Sequence, residues 1–342
     1  MVWFKAIVSL LFIAIKFSGL MAEPNFQSEI LFSCISDDDA EELTTFQLKY
    51  DPDMSINKYK FHEGELDKLK ELFGSRDSVI FFFLGHEDKL YSYHGKSFMV
   101  AKSLMYQTDA AVCTVSYAFL TGHDLYKYFQ YFGTLEHRLP KVVDMVSTMI
   151  SNIVDSKHFN IKLSTVYLTG FCLGGHIAGQ VGHALKEIYN GQMVPAVWAF
   201  DPPKIGFKYP EKEGKPRRVQ KGDAKFVAVF HTSKLGVTKC LADVDILVNG
   251  GESQPGCQFE ANNMVCSHFA GFILRELIIT NPSSLTTNRD GLPTVNRSDN
   301  DIIAIDFINP PYGKSGIYHM NTDMVFGTKK KGFFERLFQK DE

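Results

Sequence analysis

The sequence predicts an α/β chain with a mostly parallel central sheet and helices on both faces. Two observations carry that prediction. Five apolar runs, "SVIFFFLG", "AAVCTVSYAFL", "STVYLTG", "MVPAVWAFD" and "KFVAVFHTS", are rich in β-branched and aromatic residues. They are continuous rather than alternating, as expected of strands covered on both sides. Between and after them lie helical patterns, and strands alternating with helices point to a parallel sheet.

The helical segments each carry a start or stop signal. "LPKVVDMVSTMISNIVDSKH" puts Val142, Val146, Met149, Ile150 and Ile153 on one stripe, with Pro140 near its start. "LGGHIAGQVGHALKEIYNG" ends at Gly191, and "FAGFILRELIITNP" stops before Pro282. The chain has 342 residues, 45% of them hydrophobic and 22% charged, enough for one large α/β domain or two ordinary ones. No Pro/Gly/Ser-rich linker divides it, so residues 23–342 read as one domain. A formal net charge of −3 argues against a nucleic-acid binder. No metal-ligand spacing or nucleotide-binding glycine loop is present, so neither a metal nor another cofactor is expected. The final stretch, "GTKKKGFFERLFQKDE", reads as a solvated tail, with a short amphipathic helix as the alternative.

Residues 1–22 differ in kind. Lys5 precedes the apolar run Ala6 to Ile15, and small residues lead towards Ala22. This is the pattern of a cleaved signal peptide and predicts secretion to the extracellular space. Secretion permits disulfides among the six cysteines, Cys34, Cys113, Cys172, Cys240, Cys257 and Cys266. Cys257 and Cys266 bracket the short polar loop "CQFEANNMVC" and are the first choice for a bridge. Cys113, inside an apolar run, reads as a small buried hydrophobe. The pairing of Cys34, Cys113 and Cys240 is left open by the sequence. Asn296, in "NRS", is a glycosylation acceptor if the chain is secreted.

The chemistry centres on "GFCLGGHIAG". Gly170 and Gly174 flank Cys172 at two residues either side, between a good strand and a good helix. That is the layout of a nucleophile elbow, with a thiol where serine is usual. The helix N-terminus favours the nucleophilic thiolate there. The backbone N–H of Leu173 would form half of an oxyanion hole. Downstream, "AVWAFDPP" ends a strand in Asp201, at the carboxyl end where an open α/β sheet places its site. A general base is then expected further on, and His231 in "AVFHTS" and His268 in "CSHFAGF" both qualify. His268 follows Cys266 at the mouth of a helix, whereas His231 ends a strand and reads as packed beside the site.

These residues carry a resemblance. "VYLTGFCLGGHIAG", "AVWAFDPPKIGF", "FVAVFHTS", "DVDILVNGGESQPGC" and "VCSHF" occur in the order and spacing of the pancreatic-type lipase family. The chain most resembles its insect members, which include venom phospholipases A1 and lipase-like yolk proteins. The resemblance implies an α/β-hydrolase fold, a triad falling on Cys172, Asp201 and His268, and a Cys257–Cys266 bridge. It leaves no room after His268 for the β-sandwich domain of the pancreatic enzymes. It also implies a lipid or phospholipid substrate met at a membrane or other lipid interface.

The departures from the family pattern bear on activity. Cys172 stands where the family carries serine. The turn that gives the second oxyanion N–H reads Leu84-Gly85-His86, which puts His86 in that role. Ala270 replaces an arginine often found two residues after the histidine. The segment matching the lid, Lys208 to Lys225, is short and has seven basic residues. That length resembles a phospholipase A1, and the charge suits an anionic lipid surface.

A thiol is easily activated, but it leaves a tetrahedral intermediate more readily than an alkoxide, so attack on an ordinary ester tends to reverse. Two functions follow. One is a lipase-like carboxylic ester hydrolase of phospholipase A1 or lipase type working through a Cys-Asp-His triad. The other is an inactive lipase-like protein serving lipid binding, storage or partner interaction.

Overall fold

The computed structural model describes residues 30–48, 63–73, 76–86, 94–117, 131, 135, 139–207, 216–259, 262–287, 291–297 and 301–322. The expected signal peptide (1–22), part of the lid-like segment (208–215) and the tail after residue 322 lie outside them. In chain order the elements are β1 (Ile30–Ile35), β2 (Thr44–Leu48), α1 (Glu63–Phe73), β3 (Val79–Phe83), α2 (His94–Thr108) and β4 (Ala111–Ser116). There follow α3 (Leu139–Asp155), β5 (Val166–Phe171), α4 (Leu173–Ile188), β6 (Ala196–Phe200), β7 (Phe226–His231) and β8 (Val244–Val248). The last are α5 (Asn263–Thr280), β9 (Thr294–Arg297), β10 (Ile302–Ala304) and β11 (Gly316–Met320).

Among the described residues the strands form one sheet in the order β2-β1-β4-β3-β5-β6-β7-β8-β11-β9-β10. From β4 to β11 every pairing is parallel. The pairs β1–β2 and β9–β10 close the two edges with antiparallel pairings.

Both faces of the sheet are covered, and this explains the missing alternation in the sequence. In β3, Phe81 and Phe83 pack with the buried residues of α1, α3 and α4. Their neighbours Ile80 and Phe82 pack on the opposite side with α2 and α5. With apolar surface needed on both sides, β3 becomes the unbroken run "VIFFF", buried at all five positions. Each such side chain contributes about 1.5–3 kcal/mol by leaving water. The stripe expected on α3 is observed: Val142, Val146, Met149, Ile150 and Ile153 are all buried.

Two expectations need correcting. Cys113 is not a free buried thiol; it is bridged to Cys34, which lies opposite it across β4 and β1. The two are 79 residues apart, so only the antiparallel register brings them together. Second, His268 does not stand at the mouth of its helix. Helix α5 begins at Asn263, inside the expected polar loop, because the Asn262 side chain accepts a hydrogen bond from the Val265 N–H and caps it. The Cys257–Cys266 bridge is present and ties that helix to the short turn at Cys257–Phe259. No helix among the described residues is long and apolar enough to cross a membrane.

Candidate active site

The elbow between β5 and α4 presents Cys172. Its backbone has φ 54° and ψ −129°, a region that a residue with a Cβ enters only under strain. The glycines make that strain tolerable by letting backbones touch. A Cβ on Gly170 would lie 2.2 Å from the Gly174 carbonyl oxygen, and one on Gly174 would lie 2.2 Å from that of Phe83. The Cys172 N–H is held by the Phe200 carbonyl at 2.9 Å, and its own carbonyl accepts from Gly175 N–H at 3.0 Å. Leu173 is the first residue of α4, so no carbonyl within the helix can take up its N–H.

The same close contact sets the neighbouring turn. Gly174 packs on the carbonyls of Phe83 and Leu84, so the Leu84-Gly85-His86 turn after β3 is fixed against the elbow. The Tyr117 hydroxyl donates to the Leu84 carbonyl at 2.6 Å, and the Leu84 N–H to Val115 at 3.1 Å. Two structural supports therefore fix the turn that carries His86.

Asp201 follows β6 and is fully buried. It too has positive φ, 44°, which turns its carboxylate across the strand ends. Oδ1 accepts from the N–H groups of Thr232 (2.8 Å) and Ser233 (3.1 Å). Oδ2 accepts from the Ser233 hydroxyl and from His268 Nδ1, the latter at 2.6 Å. Gly236 closes over this carboxylate; a Cβ there would stand 2.5 Å from Oδ1. Four donors thus hold one orientation in which His268 points its other nitrogen away from the acid.

His268 is 8% exposed and packs against the Phe171 ring, centroids 4.9 Å apart. The Cys172 thiol is within hydrogen-bonding reach of its imidazole. Burial lowers the affinity of His268 for a second proton, but the Cys172 sulfur and the Asp201 carboxylate outweigh burial and raise it to about 10. The protonated imidazole is therefore favoured at His268. The arrangement brings Cys172, His268 and Asp201 together at the carboxyl ends of the parallel strands.

Residues 128–274 match the family model for Lipase. Over those residues the chain is similar to the lipase family. It is 26% identical over 186 residues to "Phospholipase A1" of Vespa crabro, covering 52% of this chain and 59% of the other. It is 32% identical over 144 residues to "Phospholipase A1 member A" of Mus musculus, covering 40% and 29%. Against "Lipase member H-B" of Xenopus laevis it is 36% identical over 121 residues, covering 34% and 24%. The chain thus spans less than two thirds of the length of each of these relatives. A solved structure of an esterase from Pyrobaculum calidifontis aligns with a TM-score of 0.28 over 40% of both chains, at 15% identity. The fold is read from the strand order and the elbow rather than from that superposition.

Sequence reasoning missed several residues that shape the site. Tyr131 is one. Its ring meets His86 edge-on at 5.3 Å, and its hydroxyl donates to the Ile205 carbonyl at 3.0 Å. Burial, and then the neighbouring Cys172 sulfur, push that hydroxyl far above the usual phenol range, so Tyr131 stays neutral. It sits in a segment with no recognisable pattern, which is why periodicity did not flag it.

His176, one turn into α4, is another. Its Nε2 donates to the Pro203 carbonyl at 2.8 Å, and its Nδ1 accepts from the Val219 N–H at 3.1 Å. Phe207 stacks on it at 3.6 Å. Burial drives His176 down to about 3, so it is neutral, as those two bonds require. One histidine thereby ties the chain just before the lid-like segment to Val219 within it.

The basic character of that segment is smaller than its composition suggests. Arg217 pairs with buried Asp223, buried Arg218 donates to the Lys239 carbonyl, and Lys221 pairs with Asp243 at 3.0 Å. His231, the other candidate base, is held at the β7–β8 boundary by Asp245 and Val237, away from the triad. Asn296 is exposed on β9.

Proposed function

We propose that this chain is a carboxylic ester hydrolase acting on lipid acyl esters, with Cys172 as nucleophile, His268 as general base and acid, and Asp201 as the group that orients His268. The single observation that supports it is the Asp201–His268 hydrogen bond directed at a thiol on a strained elbow. Cys172 attacks the acyl carbon, and the charge that develops on the carbonyl oxygen is taken by the N–H groups of Leu173 and His86. His268 then protonates the departing alcohol, leaving an acyl thioester on Cys172. Water, deprotonated by His268, hydrolyses that thioester and frees the fatty acid.

The chemistry ranks the substrates. Expelling an alkoxide in preference to the enzyme's own thiolate is the difficult step, whereas a thiol leaving group removes that handicap. Thioesters and activated esters should turn over faster than phospholipids, and phospholipids of phospholipase A1 type faster than triglycerides. The relatives named phospholipase A1 support the choice of phospholipid. The signal-peptide pattern at residues 1–22 and the two disulfides support secretion and work at a lipid interface.

Assays of the full chain on a phospholipid, a short acyl ester and a thioester test the proposal. Cys172→Ala is expected to abolish turnover on all three. Turnover unchanged in Cys172→Ala overturns Cys172 as the nucleophile, and no turnover in the parent chain favours the inactive, lipid-binding alternative.

A further inference from the structure

His231 closes β7, and Asp245 lies on the adjoining strand β8. Both are almost wholly buried, at 4% and 3% exposure. His231 Nδ1 is 3.0 Å from the Val237 carbonyl oxygen, and Nε2 is 2.8 Å from Asp245 Oδ1. A carbonyl has no proton to give, and neither has a carboxylate. Neutral imidazole has one N–H, so it can serve only one of these two acceptors. A metal ion on Nε2 would leave the Nδ1–H to donate to Val237 and would also satisfy the Asp245 carboxylate.

A third donor favours the metal. The ligand atoms of His231, Cys240 and Asp245 all lie within 4.8 Å of one another. Imidazole nitrogen, thiolate sulfur and carboxylate oxygen are the ligand set of zinc, with bond lengths of about 2.0–2.3 Å. Tetrahedral geometry at those lengths asks the ligand atoms to sit roughly 3.2–3.8 Å apart. His231 and Asp245 are already close, and Cys240 is an exposed free cysteine on the loop between β7 and β8. The Nδ1 contact with Val237 is the outer support that points Nε2 at a metal. The Arg218 guanidinium lies near Cys240 and donates to the Lys239 carbonyl. No spacing in the sequence announces this set, because its members come from β7, the following loop and β8.

We propose that His231, Cys240 and Asp245 form a zinc site with one open position for water. The site would act on the reaction only at a distance. The β7–β8 loop that it would close carries Thr232 and Ser233, whose N–H groups hold Asp201, and Gly236, which lies against the same carboxylate. Zinc there pins both ends of the loop that fixes the acid.

The full chain, kept reduced with a non-thiol reductant, is titrated with Zn²⁺ and separately with Co²⁺. The parent and Cys172→Ser are expected to bind one zinc per chain and to give a thiolate-to-cobalt charge-transfer band. Cys240→Ser, a surface change that leaves the core intact, should bind zinc at least roughly 10-fold more weakly and lose the band. Saturating zinc should raise Tm by about 5 °C in the parent but not in Cys240→Ser. No zinc binding by the parent overturns the site. A cobalt band that survives Cys240→Ser and disappears with Cys172→Ser also overturns it.

Discussion

At Cys172 the chain holds a sulfur on a backbone conformation that costs about 1–3 kcal/mol, beside a histidine tied to a buried acid. The charge state of that pair is its most testable property. Against the effect of burial, the Cys172 sulfur and Asp201 raise His268 from the ordinary histidine value of 6.5 to about 10. Because the folded value is the higher one, the pair's contribution to stability is complete below pH 6.5 and is lost as pH climbs through about 10. Cys172→Ala removes the leading cause of the rise. Histidine ring-proton NMR should therefore show His268 titrating markedly lower in that variant, and the alkaline loss of stability should flatten. An unchanged titration would mean that the thiol is not its partner. Cys172, Asp201 and His268 were legible in the sequence because each sits at a boundary with its own signature: an elbow, a strand end, a disulfide. Tyr131 and Ser233 were not. Their roles depend on contacts with residues 41 and 32 positions away, respectively.

The β5–α4 elbow is built by direct backbone contact with the end of β3, so small changes there should be severe. Gly174→Ala puts a methyl group 2.2 Å from the Phe83 carbonyl oxygen. It is expected to destabilise the fold by about 2–4 kcal/mol and to displace the turn carrying His86, with both stability and turnover falling. A fully folded, fully active Gly174→Ala would contradict the elbow geometry. The central strands and α3 were legible because double-sided burial leaves long apolar runs and one-sided burial leaves a stripe. The start of α5 was not, since its cap comes from Asn262 inside a stretch that reads as a polar loop. Strand β8 was quoted only as part of a family motif, "DVDILVNGG". Its two aspartates mask the apolar run, yet Asp245 is buried because His231 meets it.

Across the whole molecule the two disulfides fasten different things. Cys257–Cys266 closes a short local loop and holds the start of α5, whereas Cys34–Cys113 joins the first strand to β4 across 79 residues. Chain entropy assigns about 2–3 kcal/mol to the short loop and about 4 kcal/mol to the long one. Thermal melts of the paired alanine variants should rank Cys34→Ala/Cys113→Ala as the more damaging; the reverse order would place the strain elsewhere. The sheet's parallel centre was foreseeable, but its antiparallel edges were not, because β9 and β10 are only four and three residues long and lack a run to detect. All of this scaffolding serves one claim, that Cys172 attacks an acyl carbon. The most direct measurement is intact mass of the full chain after brief exposure to a thioester or phospholipid at low pH quench. The account predicts a mass gain of one acyl group, located on Cys172 and absent from Cys172→Ala. Substrate turnover with no acyl group on Cys172, or an equal adduct in Cys172→Ala, would contradict it.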